Sequence, residues 1–396
     1  MISALPLTLI SLVLAVVALR SRQGADCSAL ASPSSRAGLV WLLLLANTAL
    51  AARVERVEKR STPTQTFPNG TNYVWTVQDT YEGSTFFDTF EFYTGEDPTH
   101  YTDRNTAFAD GLAYVESDGI VVMKGDNTTT LSNGQYRNSV RISSQKQYNT
   151  GLFILDLDMA PWGCGVWPAW WTVGGGTWPW TGEIDIIEGV HDNQHNQVTW
   201  HTGPNCNMTQ NANFTGTIVP NLVCNCVDNF NSNAGCGVTE WSRASYGPIF
   251  DEQSGGVFAM KWDVSGIGVW SFYRAAVPQD VTNGQPTPST WGEPVAFLEA
   301  GACDPLTNFI NHSIIFDITF CGDWAGNDYT TSGCPGTCAE RLMEPSNFDN
   351  ASWRIRSLTV YRQQVIHGQV ASDAARPMFP VVPMLGVMGV LFGVLL

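Results

Sequence analysis

Between Thr71 and Arg362 the chain is built from short runs of β-branched and aromatic residues parted by Gly, Asn, Ser and Asp, and no stretch repeats its apolar residues at the helical period. Gly119 to Lys124, Gly151 to Asp158, Gln197 to His201, Gly256 to Trp262, Ile267 to Tyr273, Ile314 to Phe320 and Trp353 to Tyr361 are such runs. Several alternate apolar and polar side chains, the period of a strand with one buried face. Many strands, loop connections and no helical stripe predict an all-β fold, a single β-sandwich with few or no helices. No linker, repeat or charge block divides this body, so one domain is expected over residues 61–372. Asn205 to Gly237 is long and rich in Asn and Cys, which points to function or disulfide bracing.

Charged residues make up only 14% of the 396, while Trp and Gly number 15 and 37. The formal net charge is −16 and the body holds no basic cluster, so a nucleic-acid partner is not expected. Indole faces stack on the C–H faces of sugar rings. Abundant Trp beside low charge therefore suits a neutral, ring-shaped ligand.

Both ends read as addresses. The apolar runs Leu5 to Leu19 and Leu39 to Leu50 are short for a membrane span, which needs about 20 residues. The second closes on Ala49-Leu50-Ala51, the small-x-small form of a signal-peptidase site; the first is an extension of that signal or an artefact of the gene's start. Lys59-Arg60 fits a pro-peptide processing site or a charged linker. Residues 1–60 are thus expected to be a leader. At the other end, Ala371, Ser372, Asp373 and Ala374 precede a spacer and the apolar Met384 to Leu396. Those are the parts of a GPI-attachment signal over 373–396, with Ser372 the first choice of attachment residue. A tail-anchored helix is the other reading, but Pro380, Pro383 and the short tail suit it poorly. A secreted protein with a lipid anchor to the plasma membrane or cell wall is expected.

Cys27 lies in the leader, leaving Cys164, Cys206, Cys224, Cys226, Cys236, Cys303, Cys321, Cys334 and Cys338 in loop-like sequence that suits disulfides. Nine is odd, so at least one is unpaired or bonds outside the chain. Cys224/Cys226 and Cys334/Cys338 are close pairs without a companion His at zinc-finger spacing, so no metal is expected. Six Asn-x-Ser/Thr sequons, at Asn69, Asn127, Asn207, Asn213, Asn311 and Asn350, fit an exported glycoprotein.

The segment Glu183-Ile-Asp185-Ile-Ile-Glu188 carries the chemistry. In a strand, Glu183 and Asp185 share one face while Ile184 and Ile186 enter the core. Glu188 falls on the wrong face unless a β-bulge near Ile186-Ile187 restores it. About four effective strand steps then part the two Glu Cα atoms by roughly 13 Å. Inward lean brings the carboxyl groups to about 5–5.5 Å, the separation of retaining glycosidases. Asp185 between them would share a proton with one carboxylate and raise a neighbour's pKa by like-charge repulsion. Three acids alone could be no more than a solvated strand face. However, Trp162, Trp167, Trp170, Trp171, Trp178 and Trp180 precede them within 19 residues, more indoles than a core would take from one segment.

With Gly163 to Trp171, Gly182 to Gly189, Val198 to Gly203 and Phe320 to Gly326 in this order, the chain resembles glycoside hydrolase family 16, and above all fungal endo-β-1,3(4)-glucanases, or laminarinases. The resemblance covers roughly Thr71 to Tyr361. It implies a β-jelly roll with a concave sheet forming an open cleft. It also implies retaining endo-hydrolysis of β-1,3-glucan, extending to mixed β-1,3/1,4-glucan, with no cofactor, by a monomer. Glu183 would be the nucleophile, Glu188 the acid/base and Asp185 the assisting carboxylate. His201 would touch substrate near the cleavage point, and Trp171, Trp178 and Trp324 would line sugar subsites; Arg141 joins them as a cleft-facing candidate. The bulged Glu-x-Asp-x-x-Glu spacing is similar to laminarinases, whereas lichenases and chitin-glucan transglycosylases have one residue fewer. Glucosyl transfer and non-catalytic glucan binding stand as alternatives. One departure is Cys224: the family pattern has one Cys here, matching Cys226, which makes Cys224 the expected odd thiol.

Overall fold

The alternating runs form strands that pair into two large antiparallel sheets and a small third one. The computed structural model describes residues 64–367 apart from positions 68, 98, 211 and 220, all within the unit Thr62–Leu396. The leader and the anchor signal lie outside the described residues.

One sheet carries the acidic strand. Its members in chain order are β1 (Phe90–Phe92), β2 (Arg141–Tyr148), β3 (Val166–Gly174), β4 (Glu183–Glu188), β5 (Gln197–His201), β6 (Thr217–Ile218), β7 (Cys236–Thr239) and β8 (His312–Phe320). In space they run β6-β7-β5-β4-β3-β8-β2-β1. The facing sheet runs Gln65–Thr66, Asn72–Glu82, Ser352–Val365, Gly151–Met159, Gly256–Asp263, Gly266–Tyr273, Ala296–Glu299, with Val121–Lys124 joined to its longest strand and Ala113–Val115 joined to Val121–Lys124. The small sheet of Gly95–Asp97, Thr99–Tyr101 and Arg137–Ser139 contributes Gly95, Glu96 and Tyr101 to the wall of the site.

Period-two burial sorts the side chains of β3. Val166, Pro168, Trp170 and Thr172 point into the sandwich; Trp167, Ala169, Trp171 and Val173 point outward. Trp170 therefore belongs to the core, with Trp200, Trp262 and Trp353, all of them completely buried. Burial of such side chains supplies about 1.5–3 kcal/mol each and drives the two sheets together. Of the six clustered indoles the core thus takes Trp170, while Trp178 and Trp180 are exposed, in line with the expectation that some of them line a surface.

Helical segments are present but short. Among the described residues none exceeds seven residues, and Arg104–Ala109 is one turn and a half capped by the Asp103 carboxylate, which accepts from the N–H of Asn105 and Thr106. Segments this short cannot display an apolar stripe.

Four disulfides join Cys164–Cys334, Cys206–Cys303, Cys224–Cys236 and Cys321–Cys338. Cys224, Cys334 and Cys338 thus bond outside their close pairs. Cys224 is not the odd thiol; Cys226 is, buried and unbonded. The reason is proximity. The Cα atoms of Cys224 and Cys236 stand 4.5 Å apart, while Cys226 Sγ faces His201. Cys206–Cys303 and Cys224–Cys236 both brace the Asn205–Gly237 stretch.

Candidate active site

Gly182 starts the acidic strand at φ +80°, and a Cβ there would sit 2.5 Å from Asn308 O and from Phe309 Cδ1. Only glycine fits the turn that launches Glu183. Against β3 the strand then pairs Glu183 with Val173, Ile184 with Thr172 and Asp185 with Trp171, after which the register slips to Ile187 with Trp170 and Glu188 with Ala169. Ile186 is the extra residue, so the expected bulge is present. It brings Glu188 to the outward face shared by Ala169 and Trp171, while Ile184, Ile186 and Ile187 are completely buried.

Glu183, Asp185 and Glu188 line one cavity of about 290 Å3 together with Arg141, Trp167, Trp171, Asp317, Thr319 and Asp323. Each glutamate is held by an indole: Trp178 Nε1–H donates to Glu183 Oε2, and Trp167 Nε1–H to Glu188 Oε1 at 2.9 Å. Asp185 is buried, and its Oδ2 lies 3.2 Å from His201 Nε2. Its partner is this imidazole. Arg141 packs over the ring of Trp171 at 4.9 Å and over that of Tyr93 at 5.0 Å, and Trp171 Nε1–H donates to Asp317 Oδ2 at 3.1 Å.

Burial, then the charge of Asp185, pushes the Glu183 carboxyl up to about 8, against the pull of His201, Trp178 and Arg141. The same two causes hold Glu188 well above the ordinary carboxylate range, with Trp167 and His201 opposing. Burial lowers His201, but its contacts to Asp185 and Cys226 and the charges of Glu183 and Asp185 carry it well above its usual value. The site can therefore hold a proton on a glutamate and a cation on His201 near neutral pH. Glu183, Asp185 and His201 offer ligand atoms within 4.8 Å of one another, a set able to grip a cation, though His201 is better used pairing with Asp185.

Of the residues expected from sequence, Glu183, Asp185, Glu188, Trp171 and Arg141 meet in the cavity. His201 stands behind Asp185, and Trp178, 38% exposed, sits at the rim with its ring 6.0 Å from His201. Trp324 lines a neighbouring depression with Gly189, His195 and Gln197, and meets Trp167 edge-on at 6.0 Å. Sequence reasoning passed over Tyr93, Glu96, Asp317 and Thr319. For the last two a signal existed: Phe316-Asp317-Ile318-Thr319 alternates polar and apolar like the acidic strand itself.

A sandwich whose open face offers two glutamates across a bulge, an aspartate between them and a wall of indoles has the build of a polysaccharide-cleaving enzyme. This chain belongs to glycoside hydrolase family 16: residues 90–361 match the family described as "XgeA-like, catalytic GH16 domain". It is 47% identical over 291 residues to a "probable glycosidase" of Schizosaccharomyces pombe, covering 71% of this chain and 68% of that protein. It is 40% identical over 309 residues to a "probable endo-1,3(4)-beta-glucanase" of Aspergillus niger, 74% of this chain and 41% of that one. With the endo-1,3(4)-beta-glucanase of Arthroderma benhamiae the identity is 38% over 301 residues, 72% and 65% of the two chains. The chain thus spans between 41% and 68% of the length of these relatives. Among solved structures, laminarinase 16A of Phanerochaete chrysosporium, bound to 6-O-glucosyl-laminaritriose in donor and acceptor sites, superposes with a TM-score of 0.69 at 41% identity, over 73% of this chain and all of that one. An elongating family 16 β-1,3-glucosyltransferase follows with a TM-score of 0.68 at 39% identity, over 73% of this chain and all of that one.

Proposed function

We propose that this chain is a retaining endo-hydrolase of β-1,3-glucan, active also on mixed β-1,3/1,4-glucan, with Glu183 as nucleophile and Glu188 as acid/base. The observation that carries the reading is the bulge at Ile186, which sets both glutamates on one open face with Asp185 between them. Retaining cleavage needs an ionised carboxylate to attack the anomeric carbon and a protonated one to protonate the leaving oxygen. Glu183 suits the first role because the charges of both His201 and Arg141 favour its ionised form, while for Glu188 the charge of His201 does so. Once the glycosyl ester forms, Glu188, now deprotonated, takes a proton from water and the ester breaks with the anomeric configuration restored. Asp185, paired with His201, orients the imidazole and keeps negative charge near both glutamates.

The relatives named as endo-1,3(4)-beta-glucanases support this substrate class, as does the laminarinase that holds glucans in its donor and acceptor sites. The test is reducing-sugar release from laminarin by the wild type and by Glu183→Gln. Equal rates would refute the assignment. The likeness to an elongating β-1,3-glucosyltransferase favours a second reading, in which an acceptor sugar replaces water in the last step. Product sizing separates the two, since only transfer yields chains longer than the donor.

The same proposal places the protein outside the cell, tethered through a GPI anchor to plasma membrane or wall. Four disulfides support an oxidising compartment. Release from intact cells by a phosphatidylinositol-specific phospholipase tests the tether; retention after that treatment rejects it.

A further inference from the structure

We propose that Asn196 is the positioning residue of Glu188, holding the bulge that aims it, with Glu240 and Ser271 fixing its amide from behind. The inference rests on the reading of Glu188 as acid/base.

β5 pairs with β4 only at Asp185–Thr199, Ile184–Trp200 and Glu183–His201. Beyond Asp185 the bulge breaks the ladder, and the backbone groups on that side need other partners in a buried place. One side chain supplies them. Asn196, completely buried just before β5, accepts the Glu188 N–H on Oδ1 at 2.9 Å and donates from Nδ2 to Ile186 O at 2.9 Å. Its second Nδ2 hydrogen goes to Glu240 Oε1 at 3.0 Å. A single orientation of the amide satisfies all three bonds.

Glu240 enforces that orientation. It is buried, follows β7, accepts the Ser271 hydroxyl on Oε2 and so reaches across to the strand Gly266–Tyr273 of the facing sheet. The main chain of Asn196 is held as well, by Ser245 Oγ at 2.9 Å and by the N–H of Glu240 at 2.8 Å. Trp167 grips the Glu188 carboxylate from the cleft while Asn196 grips its backbone from the core. The bulge thus has a donor and an acceptor built to its shape. An aspartate at 196 lacks the donor for Ile186 O, and an alanine lacks both.

Laminarin has a poor sugar leaving group that needs the proton of Glu188, whereas an aryl β-laminarioside with a nitrophenolate leaving group does not. In Asn196→Ala, kcat on laminarin is expected to fall about 10²-fold, the usual result of moving a catalytic group by about 1 Å. KM and the first-turnover release of nitrophenolate are expected to stay at wild-type levels. Equal loss on both substrates, or loss on neither, overturns the proposal, because a merely structural role would not separate them. Asn196→Asp, of the same size, is expected to show the same split where the alanine variant does not fold. Adding Glu240→Gln to it removes the facing charge and should recover part of the laminarin rate; no recovery rules out Glu240's share. Glu188→Ala is the control. If it slows both substrates alike in the first turnover, the reading of Glu188 fails, and not the reading of Asn196.

Discussion

Cys226 Sγ lies 3.3 Å from Nδ1 of His201, across the imidazole from Asp185, whose Oδ2 is 3.2 Å from Nε2. Gly235, at φ +62°, closes the third side: a Cβ there would stand 2.7 Å from Nδ1. The ring is clamped between a thiol, a glycine and a buried carboxylate, so its tilt toward the catalytic strand is set by residues on a disulfide-braced loop.

One consequence is a protected thiol. Without reductant, alkylation of the native protein should leave Cys226 unmodified, and unfolding should expose it as the one reactive thiol among the described cysteines. Peptide mapping checks this; modification at Cys224 would count against the pairing. Cys226→Ala removes one hydrogen-bond partner of His201 and is expected to cost about 1 kcal/mol of stability, read from chemical denaturation.

His201→Ala leaves Asp185 buried beside two glutamates without its imidazole partner. A loss of about 3–5 kcal/mol is expected, the usual cost of breaking a buried pair from one side. His201→Gln, which keeps a donor, should lose less. Equal stability of wild type and His201→Ala in urea titration would show that the pair contributes nothing.

Trp178 donates to Glu183 and favours its ionised form. Trp178→Phe removes that donor, so the Glu183 pKa rises and the acidic limb of the kcat/KM profile on laminarin should move to higher pH. An unmoved limb with a raised KM would instead assign Trp178 to sugar stacking alone.

Burial pushes the carboxyl groups of Glu240 and Asp251 to about 7, of Asp317 to about 6 and of Glu183 to about 8. Each binds its proton more tightly folded than unfolded, so their stabilisation is complete below the ordinary carboxylate range and is lost as pH rises through about 6 to 8. Buried His312, pushed down to about 4, acts in the opposite sense, its stability being lost as pH falls below about 6.5. The four acids outnumber it. Melting temperature should therefore be higher near about pH 5 than near about pH 8; a rise across that range would refute the balance.

Much of the site was legible in the chain because side-chain alternation is a local property. Three acids and three isoleucines in Glu183 to Glu188 can satisfy one wet and one apolar face only with an extra residue between Asp185 and Glu188, and the bulge lies there. Strand period likewise determined the all-β fold, and loop-like cysteines determined that disulfides would brace it. What spacing could not decide was partnership. Spacing does not tell Cys224 from Cys226 and the family pattern picked the wrong one as unpaired; the 4.5 Å approach of Cys236 selects Cys224 for the bond. Asp185 reads as a proton-sharing neighbour of glutamates until His201 arrives beside it on β5. Asn196 and Glu240, 44 residues apart, are unremarkable polar residues until folding buries them against the bulge. Hydrogen bonds and disulfides form at distances of a few ångströms between residues remote in the chain, and the pairing of strands and the placement of their loops in the tertiary fold set those distances.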